Sequence, residues 1–253
     1  MANKKKISGR FAYATDIGRT RISNEDQALA LTNAYGDILL MVCDGMGGQN
    51  KGEYASHLAI KTIADAFETH SKFHTYLQLF VWLNRVISSA NKSIFNESEN
   101  NVTYHGMGTT LSLVVIHKNR IYNATVGDSR TYFLEDGKLV QMSEDQTYVG
   151  YLYRTGQIKK EEMLTHPKRH VLMNALGTFP NPDIDIKVYQ FNHQSILVCT
   201  DGIYNNVSEI TLQNVLNNHD TPDQKITEII SIGNNNGGSD NMGLVIWEEN
   251  VCR

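Results

Sequence analysis

Five aspartates stand where the chain turns between apolar stretches: Asp26, Asp44, Asp128, Asp201 and Asp240. Asp44 and Asp201 each end a short run of β-forming residues, 38–43 and 196–200, and each is followed by glycine. Such runs predict buried strands that stop at a tight turn and deliver an aspartate there. Asp128 lies in a Gly127-Asp128-Ser129 turn, and Asp240 precedes a final strand. If the fold gathers these carboxylates, they repel one another unless protons or cations neutralise them. Oxygen ligands without a Cys or His set select hard ions such as Mg²⁺ and Mn²⁺ over Zn²⁺. Gly45, Gly47 and Gly48 let the backbone fold closely enough for a carbonyl oxygen to join the coordination shell. Paired ions acidify a shared water and neutralise a transferring phosphoryl group, so metal-assisted phosphate hydrolysis suits these residues. The structural alternative is that each Asp-Gly pair is simply a turn. Spacing alone divides evenly between a metal set and a set of turns.

The elements that must position these residues can be read from periodicity. Ala55, Leu58, Ala59, Thr62, Ile63, Ala66 and Phe67 give 52–70 one apolar helical face, and Tyr76, Leu79, Phe80, Leu83, Val86, Ile87 and Ala90 do the same for 75–96. Strands are predicted at 110–117, 120–126, 130–135 and 138–142, the last two joined by Asp136-Gly137. Residues 145–176 are polar, carry several tyrosines and are broken by Gly150, Gly156 and Pro167, which reads as an excursion from the core. Strands resume at 186–191 and 195–200, helices follow at 209–217 and 222–232, and a loop at 233–241 leads to a strand at 242–248. Strands at both ends around a central helix pair favour antiparallel sheets covered by helices over a βαβ repeat.

Composition narrows the class. At 253 residues with 41% hydrophobic and 20% charged, the chain has the material for a substantial core and is unlike a disordered one. One domain spanning 1–253 is the expectation. A net charge of −4 gives no pull toward nucleic acid or anionic lipid. The longest apolar runs, 38–43 and 111–116, are too short to cross a membrane. Lys4, Lys5 and Lys6 are followed by no apolar stretch and read as a solvated tail, not a signal peptide. Three cysteines, Cys43, Cys199 and Cys252, do not make a disulfide framework, which points to the cytoplasm. The segment Gly127-Asp128-Ser129-Arg130-Thr131 lacks the second glycine of a nucleophile elbow, and Arg130 reads as an ion-pair partner. His166 and His170 are four apart, but Pro167 between them spoils a helical metal face, so a structural role or packing within the 145–176 excursion is the reading.

The order of these motifs resembles the metal-dependent (PPM, type 2C) protein serine/threonine phosphatases of bacterial type. The resemblance rests on Thr15-Asp16-Ile17-Gly18-Arg19-Thr20-Arg21 with Asn24-Glu25-Asp26, and on Val42-Cys43-Asp44-Gly45-Met46-Gly47-Gly48 followed by Gly52-Glu53. It continues through Gly106-Met107-Gly108-Thr109-Thr110, Gly127-Asp128-Ser129-Arg130, Ala175-Leu176-Gly177, Thr200-Asp201-Gly202 and Ser239-Asp240-Asn241, spanning about 10 to 247. It implies an α+β fold: a four-layer αββα sandwich of two antiparallel sheets flanked by helix pairs, with a small flap at about 145–176. It implies hydrolysis of phosphoserine and phosphothreonine in proteins by water activated on a dinuclear Mn²⁺ or Mg²⁺ centre.

In that reading Asp44 bridges both ions, the Gly45 carbonyl joins the first, and Asp201 and Asp240 hold the second. Asp128 with Asp201 would take a third ion. Arg21 would grip the substrate phosphate, and Glu25 and Asp26 would hold metal-bound waters from just outside. The implied partners are phosphorylated proteins and a counteracting serine/threonine kinase; charge and the short apolar runs point to no nucleic acid and no membrane, and a monomer is the default. Three positions depart from the family's pattern: Met46 where a histidine proton donor often stands, Gln146 in place of His, and Asn174 in place of Arg. Two other readings stand beside this one: a catalytically silent partner-binding domain of the same fold, and a two-metal nucleic-acid phosphoesterase.

Overall fold

The computed structural model describes residues 8–47 and 51–250; Lys4, Lys5, Lys6, Gly48 and Cys252, singled out above, lie outside the described residues. The chain opens with β1 (Gly9–Asp16), β2 (Asp26–Thr32) and β3 (Ile38–Met46), then α1 (Lys51–Thr69) and α2 (Tyr76–Asn100). Five strands follow: β4 (Gly108–Thr109), β5 (Leu111–His117), β6 (Arg120–Val126), β7 (Arg130–Glu135) and β8 (Lys138–Gln141). The flap carries α3 (Tyr148–Arg154) and α4 (Lys160–Met163). The chain then runs through β9 (Asp185–Gln190), β10 (Ser195–Cys199), α5 (Asp201–Asn206), α6 (Glu209–Asn217), α7 (Pro222–Asn235) and β11 (Met242–Glu249).

The strands form two antiparallel sheets, ordered β1-β11-β10-β7-β8 and β2-β3-β5-β6-β9, with β4 added to the end of β3. Because strand side chains alternate, β3 serves two cores. Leu39, Met41 and Cys43 face α1 and α2, where Ala55, Ala59, Ile63 and Phe67 meet them. Ile38, Leu40 and Val42 face the other sheet and pack with Val198, Val245 and Trp247. The second sheet's outer face, with Leu197, Leu244 and Ile246, is covered by Ile203, Leu212 and Ile229 of α5, α6 and α7. Helices, sheet, sheet and helices make the four layers of the α+β sandwich. Among the described residues no helix is long and apolar enough to cross a membrane.

Several elements differ from the sequence reading, each for a local reason. β1 and β2 were not predicted from their residues; both are edge strands, paired on one side, so their apolar content is thinner. Neither Asp44-Gly45 nor Asp201-Gly202 is a tight turn, whereas Asp136-Gly137 is one. β3 continues through Asp44 to Met46 because β4 pairs Gly45 with Thr109 and Met46 with Gly108. Asp201-Gly202 instead opens α5, so three helices and not a pair cover the second sheet. Gly150 lies buried within α3 and its N–H is capped by Thr147, so it does not break the flap. α7 runs on to Asn235 instead of yielding to a loop at 233.

The glycines after the aspartates are needed for close approach. A Cβ on Gly45 would lie 2.1 Å from the Gly52 carbonyl oxygen, and one on Gly202 would lie 1.8 Å from that of Asn241. Gly→Ala inside a helix ordinarily stabilises by about 1 kcal/mol. Gly202→Ala is expected to do the opposite, lowering the urea midpoint, since the obstacle is backbone. A midpoint equal to or above wild type would contradict this packing.

Candidate active site

At one end of the inter-sheet layer the even-numbered apolar positions of β2 and β3 give way to acid. Asp26 and Asp44 are direct partners across the β2–β3 ladder, a like-charge pairing that is unfavourable unless compensated. Asp26 is 1% exposed, and its Oδ2 accepts a 2.7 Å hydrogen bond from Thr200 Oγ1 of the facing sheet. The next residue, Asp201, accepts from Asn205 Nδ2 at 3.1 Å through Oδ2, and its charge acts on the Asp44 carboxyl. Asp240 arrives just before β11 and accepts a 2.8 Å ion-pair bond from Arg21 Nη2. Asp128 comes in on the turn between β6 and β7, and Glu25 on the approach to β2.

The electrostatics bind these residues into one unit. Burial, reinforced by Asp201 and Asp240 against the Thr200 hydrogen bond, pushes the Asp26 carboxyl up to about 8. Burial also raises Asp44 well above the carboxylate range, with Asp26, Asp201, Asp128 and Asp240 all adding to it. Asp128 rises to about 8 through burial, then Asp201 and Asp145. Asp201 rises to about 6 through burial and Asp240, opposed by His170, by the bond from Asp44 and by Arg21. Glu25 is raised by burial against Arg21. Arg21 is itself held protonated by its bond to Asp240, with Asp44 and Asp201 adding to the effect.

Two oxygens test what this pocket suits. Asp201 Oδ1 and Glu25 Oε1 are buried with no hydrogen-bond partner, an expensive state for a carboxylate. All-oxygen donors, orphaned and mutually repelling, fit hard divalent cations. Among the described residues no three His, Cys, Asp or Glu side chains are already arranged as a metal-ligand group. Asp240 is paired with Arg21 at 2.8 Å.

A network behind the aspartates fixes their backbones. Thr110 exchanges two bonds with Asp44: Asp44 N donates to Thr110 Oγ1 at 2.9 Å, and Thr110 N donates to the Asp44 carbonyl at 2.8 Å. Thr110 Oγ1 also meets Ser129 Oγ at 2.7 Å, joining this strand to the Asp128 turn. Gln146 grips the same turn: its Oε1 accepts from Gly127 N at 2.7 Å while its N donates to the Gly127 carbonyl at 2.9 Å. Asn174 Nδ2 donates to Gln146 Oε1 at 2.6 Å, so the two flap departures from the family pattern touch each other. The flap's two ends are zipped together by a Thr147–Leu172 bridge and by bonds from Tyr148 N to Val171 O and Met173 N to Gln146 O.

Other residues fall into place around this. Arg130 forks onto Asp145 through Nε at 3.0 Å and Nη2 at 2.7 Å, and lies 3.5 Å over the Tyr204 ring. Tyr204 OH donates to the Asp128 carbonyl at 3.1 Å. His166 Nδ1 accepts from Lys168 N in a local turn. His170, read above as flap packing, lines a cleft with Asp128, Asp201 and Tyr204. Sequence reasoning gave no role to Thr110, Thr200, Tyr204 or Asn241. Tyr204 follows Asp201 by one helical turn and would have emerged had α5 been predicted. The threonines carry no spacing signal.

Fold and pocket together define a class, a hydrolase built round gathered carboxylates, and comparison with known proteins gives the family. Residues 18–243 match the family described as Protein phosphatase 2C, and the chain belongs to that family. It is 34% identical over 242 residues to the serine/threonine phosphatase stp of Listeria welshimeri, covering 95% of this chain and 96% of that one. The structure of the S. agalactiae serine/threonine phosphatase superposes with a TM-score of 0.89 at 28% identity, covering 95% and 99% of the two chains. The catalytic domain of the serine/threonine protein phosphatase PstP, solved in complex with two manganese ions, gives 0.81 at 30% identity over 96% and 99%.

The raised carboxyls set a pH signature. Acids whose folded values lie above their unfolded ones contribute stability below the unfolded value, near 4, and lose it as pH rises through the folded values. For Asp201 that is about 6, and for Asp26 and Asp128 about 8. Chelator-treated protein is therefore expected to melt at falling temperatures from pH 5 to pH 8, and Mn²⁺ to raise the melting temperature more at pH 8 than at pH 6. A Mn²⁺ effect independent of pH would contradict the neutralisation argument.

Proposed function

We propose that this chain is a metal-dependent protein serine/threonine phosphatase that hydrolyses phosphoserine and phosphothreonine in proteins and counteracts a serine/threonine kinase. The observation that carries the proposal is the meeting of the Asp26, Asp44, Asp128 and Asp201 carboxyls in one field, with Asp201 Oδ1 and Glu25 Oε1 buried and unpartnered. The manganese-bound PstP structure supports the ion type by family likeness. The whole of 1–253 is taken as one phosphatase domain.

In this proposal Asp44, Asp201 and Asp240, with the Gly45 carbonyl, hold two Mn²⁺ or Mg²⁺ ions, and Asp128 with Asp201 serves a third. Bound ions supply Lewis acidity, lowering the pKa of a nucleophilic water and offsetting phosphoryl charge. The chain's own residues do the rest. Arg21 offers a planar, permanently charged fork to the substrate phosphate. Its side chain is 51% exposed and paired with Asp240, so an arriving phosphate would compete with that carboxylate for the fork. Glu25 and Asp26 lie behind, where Asp26 accepts from Thr200 and so ties the two sheets at the pocket. Thr110 keeps the Asp44 backbone from shifting as charge develops. All five aspartates are present, which weighs against a silent binding domain, and the net charge of −4 weighs against a nucleic-acid substrate.

Asp44→Asn and Asp201→Asn are each expected to cut Mn²⁺-dependent hydrolysis of a phosphothreonine peptide by more than about 100-fold, beyond the loss typical of outer-shell partners. Near wild-type turnover in either variant would remove that residue from the metal set. Arg21→Ala is expected to raise KM for the peptide while leaving Mn²⁺ affinity, measured by calorimetry, undiminished, because Asp240 loses a competing cation. Weakened Mn²⁺ binding in this variant would contradict the role given to Arg21.

A further inference from the structure

The loop 17–25, which carries Arg21, is fastened along its length. Gly18 N donates to Asp16 Oδ1, Arg19 N to the Gly238 carbonyl and Thr20 Oγ1 to the Ser239 carbonyl, all at 2.8 Å. A Cβ on Gly18 would lie 2.3 Å from the Asp240 carbonyl oxygen, so the loop rests directly on the backbone beside the pocket. The central fastening is Asn241, which is 6% exposed. Its Nδ2 donates to the carbonyls of Ile17 and Ser23, both at 2.9 Å, and its Oδ1 accepts from Glu25 N at 2.9 Å. Both amide hydrogens and the carbonyl are thus spent on three points of one loop. Tying 17 to 23 leaves Arg21 and the 99% exposed Ile22 at the outward tip. The Asn241 backbone N–H donates to Asp240 Oδ1 at 2.8 Å, so the same residue orients the carboxylate that pairs with Arg21.

We propose that Asn241 is a positioning residue for the phosphate grip: it staples the loop 17–25 so that Arg21 is held over the aspartates before substrate arrives. This rests on the substrate role given to Arg21 above. A long, half-exposed arginine has ample rotamer freedom, so the placement of its backbone decides where its fork can reach. The Asn241 side chain bonds only the backbone of the loop and so acts on the grip through the placement of Arg21, while its backbone N–H to Asp240 survives any substitution other than proline.

The test uses full-length Asn241→Ala and the milder Asn241→Ser, alone and in the Arg21→Ala background. Loss of the staple is expected to raise KM for a phosphothreonine peptide about tenfold, with kcat and Mn²⁺ affinity changed by less than about threefold. Calorimetric binding of inorganic phosphate to the Mn²⁺-loaded protein should weaken by a similar factor. Amide exchange across 17–25 should quicken at least tenfold or so, since those bonds protect the loop. In the Arg21→Ala background Asn241→Ser should add less than about twofold to KM, whereas a residue with a merely structural role would add the same factor in both backgrounds. Unchanged phosphate binding, or equal effects in the two backgrounds, would overturn the proposal. If Asn241→Ala does not fold, Asn241→Ser carries the test. If the wild-type protein hydrolyses no phosphopeptide, the phosphatase reading fails, while phosphate binding and exchange still decide whether Asn241 positions Arg21.

Discussion

Carboxylate repulsion across the β2–β3 ladder is the constraint round which this molecule is built. Asp26 and Asp44 face each other at the shortest lateral spacing a sheet allows, on the side turned toward a second sheet that brings Asp201 and Asp240. Nothing in the packing of the three cores requires acid there. Val42 and Ala28, two residues earlier or later on the same faces, belong to the dry layer between the sheets. The switch from apolar to acidic within one strand period places charge at the rim of a low-dielectric interior, where its neutralisation is most strongly demanded.

Such a site can exist only if the surrounding backbone does not move apart to relieve it. That resistance comes from hydroxyl and amide side chains acting between elements. Thr200 spans from one sheet to Asp26 on the other, and Thr110 holds both Asp44 and the Asp128 turn through Ser129. Gly45 and Gly202 permit backbone approaches that any side chain would forbid. Rigidity at the pocket is thus set by short polar bonds and missing side chains, with the apolar cores supplying the frame on which they act.

Much of this was legible in the sequence where the code is local and periodic. The helical faces of 52–70 and 75–96 and the apolar run into Asp44 carry strong period signals, and α1, α2 and β3 follow them closely. The edge strands β1 and β2 did not declare themselves, because a strand bonded on one side needs fewer apolar residues. The six-residue α5 was hidden because Asp-Gly reads locally as a turn; its glycine is set by a contact with Asn241, 39 positions downstream. The acidic candidates could be listed from motif order, yet the bonds that hold their backbones could not. Thr110, Thr200 and Asn241 act through bonds whose sequence separations reach 224 residues, and no spacing rule reports those.

The zipped base of the flap has a consequence for how the enzyme can vary. Since 146–148 and 171–173 are bonded to each other, the chain leaves and re-enters the body through a single closed neck. Everything beyond that neck, α3 and α4 included, forms one closed segment that lines a cleft together with Asp128 and Asp201. Asp145 and His170, near the two ends of that segment, act on the Asp128 and Asp201 carboxyls, so a change in the flap is felt at the aspartates.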